Sequence, residues 1–178
     1  MLKNIKNIYF SGINGIGMSG LAKIMKEQGY SVYGSDLEIK PVTEEMEQMG
    51  IEVFIGQKEE NLIGKRIDLF VYSTAIKDTN PEYRYIVTNG IKSIKRGQLL
   101  AELMNDFEGI AVAGTHGKTT TSSMMSVAFL EKDPYIVVGG IIPEIQSNSR
   151  IGHSDIFIAE ADESYNSFLF LKPKYSVV

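Results

Sequence analysis

Hydrophobic positions along this chain fall into short apolar runs separated by stretches with helical spacing, the alternation expected of a parallel α/β sheet. "IKNIYF" reads as a first strand, followed by a glycine-rich loop and a helix through "MSGLAKIMKEQG" that stops at Gly29. "YSVYGSD" is a second strand. "PVTEEMEQMG" is a helix with proline at its start and glycine at its end, the usual asymmetry of helix punctuation. Met46 and Met49 lie on its apolar face, where core packing is the expectation. "IEVFIG" and "DLFVYSTAI" are further strands, and "NPEYRYIVTNG" is a short helix with proline in its first turn. "IKSIK" is a brief strand, and "GQLLAELMND" a helix with a Leu99, Leu100, Leu103 stripe.

"DFEGIAVAG" restarts the pattern with a strand, a second glycine-rich loop and the helix "KTTTSSMMSVAFLEK". "YIVVGG", "DIFIAEADE" and "KYSVV" are the strands that follow. The polar break at Asn105 to Gly109 places the expected boundary between a domain over 1–106 and a second over 107–178. The final run is an apolar strand with nothing after it to cover it. A bare strand of that kind is a pairing liability, so the expectation is part of a longer protein.

Composition narrows the class without choosing a chemistry. The 178 residues are 43% hydrophobic and 22% charged, ordinary for a globular chain with a real core. The net charge of −4, without blocks of like charge, argues against a nucleic-acid partner. The absence of cysteine excludes disulfides and thiolate metal sites. "MLKNIKNIYFSG" carries two lysines but no apolar signal region, and no run is long enough to span a bilayer, so a cytoplasmic location without membrane insertion is expected.

Two loops carry candidate chemistry. In "SGINGIGMSG", Gly15-x-Gly17-x-x-Gly20 lies between a strand and a helix, where backbone approaches a pyrophosphate and the helix start supplies donors. Asp36 ends the next strand, at the place of a ribose-binding acid, and Asn14 suits a backbone position of positive φ. A tight turn that only packs helix on strand is the plainer alternative, and the spacing does not say which ligand is held. In "AGTHGKTTT", Gly114, Thr115, His116, Gly117, Lys118, Thr119 and Thr120 open a helix directly after a buried strand. Their N–H groups can cradle phosphates, with Lys118 as the point charge and the Thr119 hydroxyl as a magnesium ligand. Val112 stands where the strict pattern has its first glycine, so the loop is a shortened variant, and a threonine-rich cap is the plain alternative. His116 serves equally as a phosphate contact or a turn residue, and His153 reads as solvated. The strand in "SDIFIAEADES" ends on Glu160, Asp162 and Glu163, carboxylates suited to Mg²⁺ beside a phosphate.

Taken in order, "GINGIGMSGLA", "VYGSD", "STAIKDTNPE", "LLAELM", "IAVAGTHGKTTT", "VVGG" and "EADES" resemble the ATP-dependent Mur ligases of peptidoglycan synthesis over nearly the whole chain. The resemblance implies a Rossmann-like domain that binds the UDP part of a nucleotide sugar, followed by the first part of a P-loop-type α/β ATP-binding domain. Gly12, Asn14, Gly15, Ile16, Gly17, Asp36, Ser73 and Thr74 would line the UDP-sugar side, and Gly114 to Thr120 the ATP side. Lys118 would act in catalysis on the transferred phosphoryl group, with Thr119 and Glu160 as magnesium ligands. The implied cofactors are ATP and Mg²⁺, and the implied substrates UDP-N-acetylmuramate and L-alanine, joined through an acyl phosphate. Asn14, Thr74, Gln98 and Tyr165 depart from the family's usual glycine, serine, glutamate and aspartate. Family members also continue beyond this stretch, so the 178 residues are expected not to ligate by themselves. Three rivals stand beside this reading: an NAD-binding Rossmann protein, a P-loop NTPase outside the family, and a ligase that attaches a peptide to the same nucleotide sugar.

Overall fold

The computed structural model describes residues 2–161 and 168–178, and the chain divides into two compact units, Met1–Arg96 and Gly97–Val178. The first unit contains β1 (Asn7–Ser11), α1 (Ile16–Glu27), β2 (Ser31–Asp36), α2 (Pro41–Gln48), β3 (Glu52–Ile55), β4 (Leu69–Tyr72), α3 (Pro81–Thr88) and β5 (Ser93–Lys95). Its five strands are parallel in the order β3-β2-β1-β4-β5. The chain therefore winds outward from β1 in one direction and resumes on its other side, which opens a crevice at the carboxyl end of β1. The first glycine loop lies there. The expected strand "DLFVYSTAI" is cut short at Tyr72, because Ile76 N–H turns back to the Ser73 carbonyl at 3.1 Å. That turn takes Thr74 away from the sheet, while the Ser73 N–H still reaches the Ser11 carbonyl of β1 at 3.5 Å.

Aromatic packing fills the space on the sheet. Tyr9 stacks on Phe70 with ring centroids 5.8 Å apart, and both are fully buried with Leu62 and Ile86. Met46 is buried and Met49 half-buried, in line with their places on α2. At the amino end of the sheet, Asp68 accepts N–H bonds from Lys6 at 3.0 Å and Asn7 at 2.9 Å, and a third from the Asn7 amide at 2.9 Å. Desolvation raises the Asp68 pKa, but these bonds and Arg66 outweigh it and hold the carboxyl at about 2, below its ordinary 3.8. A lowered folded pKa means stability that is whole above about pH 4 and is lost as pH falls towards about 2. The expected result is a melting-temperature gap between wild type and Asp68→Asn that narrows across that window. A gap that stays constant in thermal melts would remove the assignment.

Helix α4 (Arg96–Met104) starts at the division between the units. The second unit continues with β6 (Glu108–Val112), α5 (Lys118–Ala128), β7 (Tyr135–Ile142), β8 (Ser147–Arg150), β9 (Ile156–Glu160) and β10 (Tyr175–Val177). Its sheet runs β10-β6-β9-β7-β8, parallel except for β8, which pairs antiparallel with β7. Strand β8 has no counterpart in the sequence reading. Its residues, Ser147, Asn148, Ser149 and Arg150, show no apolar alternation, and the β7 edge supplies the pairing that makes them a strand. Between Val137 and Ile142 the β7–β8 register shifts, across Gly139 and Gly140. His153 is exposed as expected, yet it is not merely solvated: its Nδ1 lies 2.9 Å from the Asp133 carboxylate, which Arg150 also contacts.

Candidate functional site: two phosphate cradles

The first cradle is assembled by backbone. Gly12 leaves β1 in the left-handed region at φ 82°, and its N–H and that of Ile13 donate to the Ser35 carbonyl at 2.8 and 2.9 Å. Gly15 then caps α1, and its carbonyl accepts the N–H groups of Met18 and Ser19, each at 2.9 Å. The structure corrects the reason for Asn14. The residue does not adopt a positive φ; it is buried, donates its amide to the Glu38 carbonyl at 2.7 Å, and gives its N–H to Asp36 at 2.8 Å. Asp36 also accepts the Leu37 N–H at 2.8 Å, so this acid shapes the loop before it meets any ribose. Ser73 comes to the same place, since a Cβ on Gly12 would lie 3.3 Å from its Oγ. Thr74 and Ile16 are exposed at the rim.

Two features here were not read from the sequence. A Cβ on Gly17 would lie 2.7 Å from Nη1 of Arg96, so this guanidinium rests on the helix start of a loop that contains no basic residue of its own. A cleft of about 350 Å³ also opens at the ends of β2, β3 and β4, lined among others by Leu37, Gln57, Ile76, Lys77 and Asn80. The Gln57 carbonyl accepts from the Asn80 amide at 2.8 Å, which orients the Gln57 amide nitrogen as a donor. Strand order decided both, because Arg96 follows β5 and Gln57 follows β3.

The second cradle follows β6. Gly114 and Gly117 take φ of 129° and 78°, conformations that L side chains rarely adopt, and Gly117 caps α5. Thr115, His116, Gly117, Thr119 and Thr120 are exposed along it. Lys118 folds back to donate to the Gly114 carbonyl at 2.6 Å, closing the loop on itself. Strand β9, beside β6, delivers Glu160 to the same edge: its Oε2 accepts from Thr119 Oγ1 at 3.3 Å and its Oε1 from Ser122 at 2.7 Å. Thus Thr119 and Glu160, far apart in sequence, are brought together. Ser122 was missed, although it stands one helical turn after Thr119 on the same face. Asp162 and Glu163 lie outside the described residues, as does Tyr165. Among the described residues no group of three or more His, Cys, Asp or Glu side chains gathers. Threonine and carboxylate oxygens fit a hard cation such as magnesium, which is commonly held by one or two carboxylates together with substrate phosphates.

Gly139 leaves the room this pair occupies. A Cβ there would lie 2.7 Å from Glu160 Oε2 and 3.3 Å from Thr119 Oγ1. Gly139→Ala is expected to displace the carboxylate and weaken magnesium-dependent nucleotide binding by about tenfold, equivalent to about 1.4 kcal/mol. Titration of ATP with Mg²⁺ and with EDTA checks this, because the loss should vanish in EDTA. Equal losses in both would mean that Gly139 matters only for packing.

Each unit sets a glycine-rich loop at the carboxyl end of a strand, in a parallel sheet in the first unit and a mainly parallel one in the second, which is where α/β sheets hold ligands. Residues 7–108 match the Mur ligase family, catalytic domain, and the chain belongs to that family. It is 61% identical over 177 residues to a UDP-N-acetylmuramate–L-alanine ligase from Fusobacterium nucleatum, an alignment covering 99% of this chain. The chain spans 37% of the length of that relative. Among solved structures, a UDP-N-acetylmuramate:L-alanyl-γ-D-glutamyl-meso-diaminopimelate ligase from Neisseria meningitides matches with a TM-score of 0.89 and 29% identity, over 98% of this chain and 60% of that one. A UDP-N-acetylmuramate–alanine ligase from Thermotoga maritima matches with a TM-score of 0.85 and 31% identity, over 97% of this chain and 40% of that one.

Proposed function

We propose that this chain forms the nucleotide-binding part of an ATP-dependent ligase that adds L-alanine to UDP-N-acetylmuramate in peptidoglycan synthesis. The observation that carries the reading is the presence of two phosphate cradles in separate units. A dehydrogenase leaves the second without a purpose, and a lone P-loop NTPase leaves the first. The 61% identity to the Fusobacterium alanine ligase supports the substrate pair. The TM-score of 0.89 to the Neisseria ligase keeps a peptide-attaching enzyme as the second reading, against its lower identity of 29%.

In this reading the loop from Gly12 to Gly17, with Arg96 beside it, holds the diphosphate of the nucleotide sugar. The cleft with Gln57 takes the base, whose ring carbonyls suit an amide donor. Residues Gly114 to Thr120 hold ATP, and Thr119 and Glu160 hold magnesium, which supplies charge neutralisation at the phosphates when bound. In the whole protein, the γ-phosphoryl group passes to the muramyl carboxylate, giving ADP and an acyl phosphate. The alanine amine then attacks the acyl carbon, loses a proton and expels phosphate. Lys118 releases the Gly114 carbonyl to meet charge developing on the transferred group, a preorganised electrostatic contribution. We place the reaction in the cytoplasm. No helix among the described residues is long and apolar enough to cross a membrane.

The test is a calorimetric titration of the 178-residue chain with UDP-N-acetylmuramate in the absence of ATP. Saturable binding without competition from NADH is the expected result. Binding of NADH in place of the nucleotide sugar by a folded sample would end the reading of the first cradle.

A further inference from the structure

Glu82 is a fully buried carboxylate in the first turn of α3, and no step of the proposed reaction uses it. Its Oε1 accepts from the Tyr9 hydroxyl at 2.7 Å and the Asn61 amide at 3.0 Å. Its Oε2 accepts from the hydroxyls of Ser11 at 2.6 Å and Ser35 at 2.7 Å. All these donors are neutral. Burying a carboxylate is costly unless its lone pairs are satisfied, and a carboxylate is the side chain able to accept from so many donors at once. Burial, and then the nearby Glu82 charge, push the Tyr9 hydroxyl pKa well above its ordinary range, as a phenol locked into donating requires.

The two serines are the attachment points of the first cradle. Ser11 is the last residue of β1, directly before Gly12, and the Ser35 carbonyl receives the N–H groups of Gly12 and Ile13. One carboxylate oxygen thus holds both the strand residue from which the loop departs and the β2 residue whose carbonyl anchors its first two N–H groups. We propose that Glu82 is a positioning residue for nucleotide-sugar binding: through Ser11 and Ser35 it sets the backbone of the first phosphate cradle. The inference rests on the nucleotide-sugar reading of that cradle. The other oxygen, facing Tyr9 and Asn61, serves the core.

The experiment compares wild type, Glu82→Gln, Ser35→Ala and Tyr9→Phe by calorimetric titration with UDP-N-acetylmuramate, together with amide NMR of Gly12 and Ile13. Glu82→Gln keeps the shape but cannot accept on both sides, and is expected to weaken binding on the order of tenfold. Ser35→Ala removes a loop-side bond alone and is expected to weaken it about threefold. Both should shift the Gly12 and Ile13 amide resonances. Tyr9→Phe removes a bond from the other oxygen and a contact with Ser35, so it should lower the melting temperature while weakening binding and shifting those resonances clearly less than Ser35→Ala does. Equal losses of affinity in Tyr9→Phe and Ser35→Ala would overturn the proposal, as would wild-type affinity in both Glu82→Gln and Ser35→Ala. If Glu82→Gln does not fold, the Ser35 and Tyr9 variants decide between the same outcomes. Absence of binding by folded wild type is a separate result, and it overturns the nucleotide-sugar reading itself.

Discussion

Lys118→Ala is expected to weaken Mg²⁺-ATP binding by about 100-fold while leaving the melting temperature within about 2 °C of wild type. Lys118 is the first residue of α5, and its ammonium is held 2.6 Å from the Gly114 carbonyl inside the loop it would serve. The remaining loop donors are backbone N–H groups, threonine hydroxyls and the His116 ring, so the loop's lysine charge goes with this side chain. A hydrogen bond to a charged group is worth about 1.5–3 kcal/mol, up to roughly two orders of magnitude in affinity. Alanine is a good helix former, so α5 itself should survive. Lys118→Arg should not restore binding, because a planar fork does not replace a compact ammonium in a tight loop. Calorimetric titration with Mg²⁺-ATP reads the effect. Unchanged affinity in Lys118→Ala would place the nucleotide elsewhere.

Gly34→Ala is expected to cost the first unit about 3 kcal/mol, the upper range for forcing an added methyl into a packed core. Gly34 stands in β2, paired in register with Phe10 of β1. A Cβ there would lie 2.6 Å from the Phe10 carbonyl oxygen and 2.5 Å from Cδ1 of the buried Ile13. The carbonyl belongs to the sheet and has no rotamer to escape into. Ile13 Cβ would also lie only 2.9 Å away, so a rotamer change alone does not clear the methyl and the loop backbone at Ile13 has to shift. For a domain of this size the melting temperature should fall on the order of 15 °C. Nucleotide-sugar affinity should fall with it, since Ile13 follows Gly12 in the loop. A drop of only a few degrees in a thermal melt would mean that the strands part easily here.

The elements were largely legible in the sequence, because local signals and tertiary demands agree in them. Pro41 and Gly50 bracket α2, Pro81 starts α3, and the apolar runs at Asn7–Ser11, Glu108–Val112 and Ile156–Glu160 are strands buried in parallel sheets. Where the two disagree the reading failed. Strand β8 is polar and exists through pairing with β7, and β4 ends early because a hydrogen-bonded turn claims Ser73. Asn14 needs no special backbone angle, contrary to the expectation; its side-chain amide is tied to the Glu38 carbonyl instead.

The position of both glycine loops, each between a strand and a helix, was determined by the sequence alone, since such a turn needs consecutive residues of particular conformational freedom, as the positive φ of Gly12, Gly114 and Gly117 shows. What surrounds each cradle was decided by the tertiary structure. Glu160 reaches Thr119 because β9 lies beside β6, and Arg96 reaches Gly17 because the helix it begins starts at the ligand edge of the sheet. Glu82 joins Ser11 to Ser35 across more than forty positions of sequence, |i−j| being 71 and 47. Spacing along a chain carries no record of strand order, and a buried carboxylate, an arginine on a glycine or a methyl-sized clearance at Gly34 or Gly139 has meaning only once that order exists.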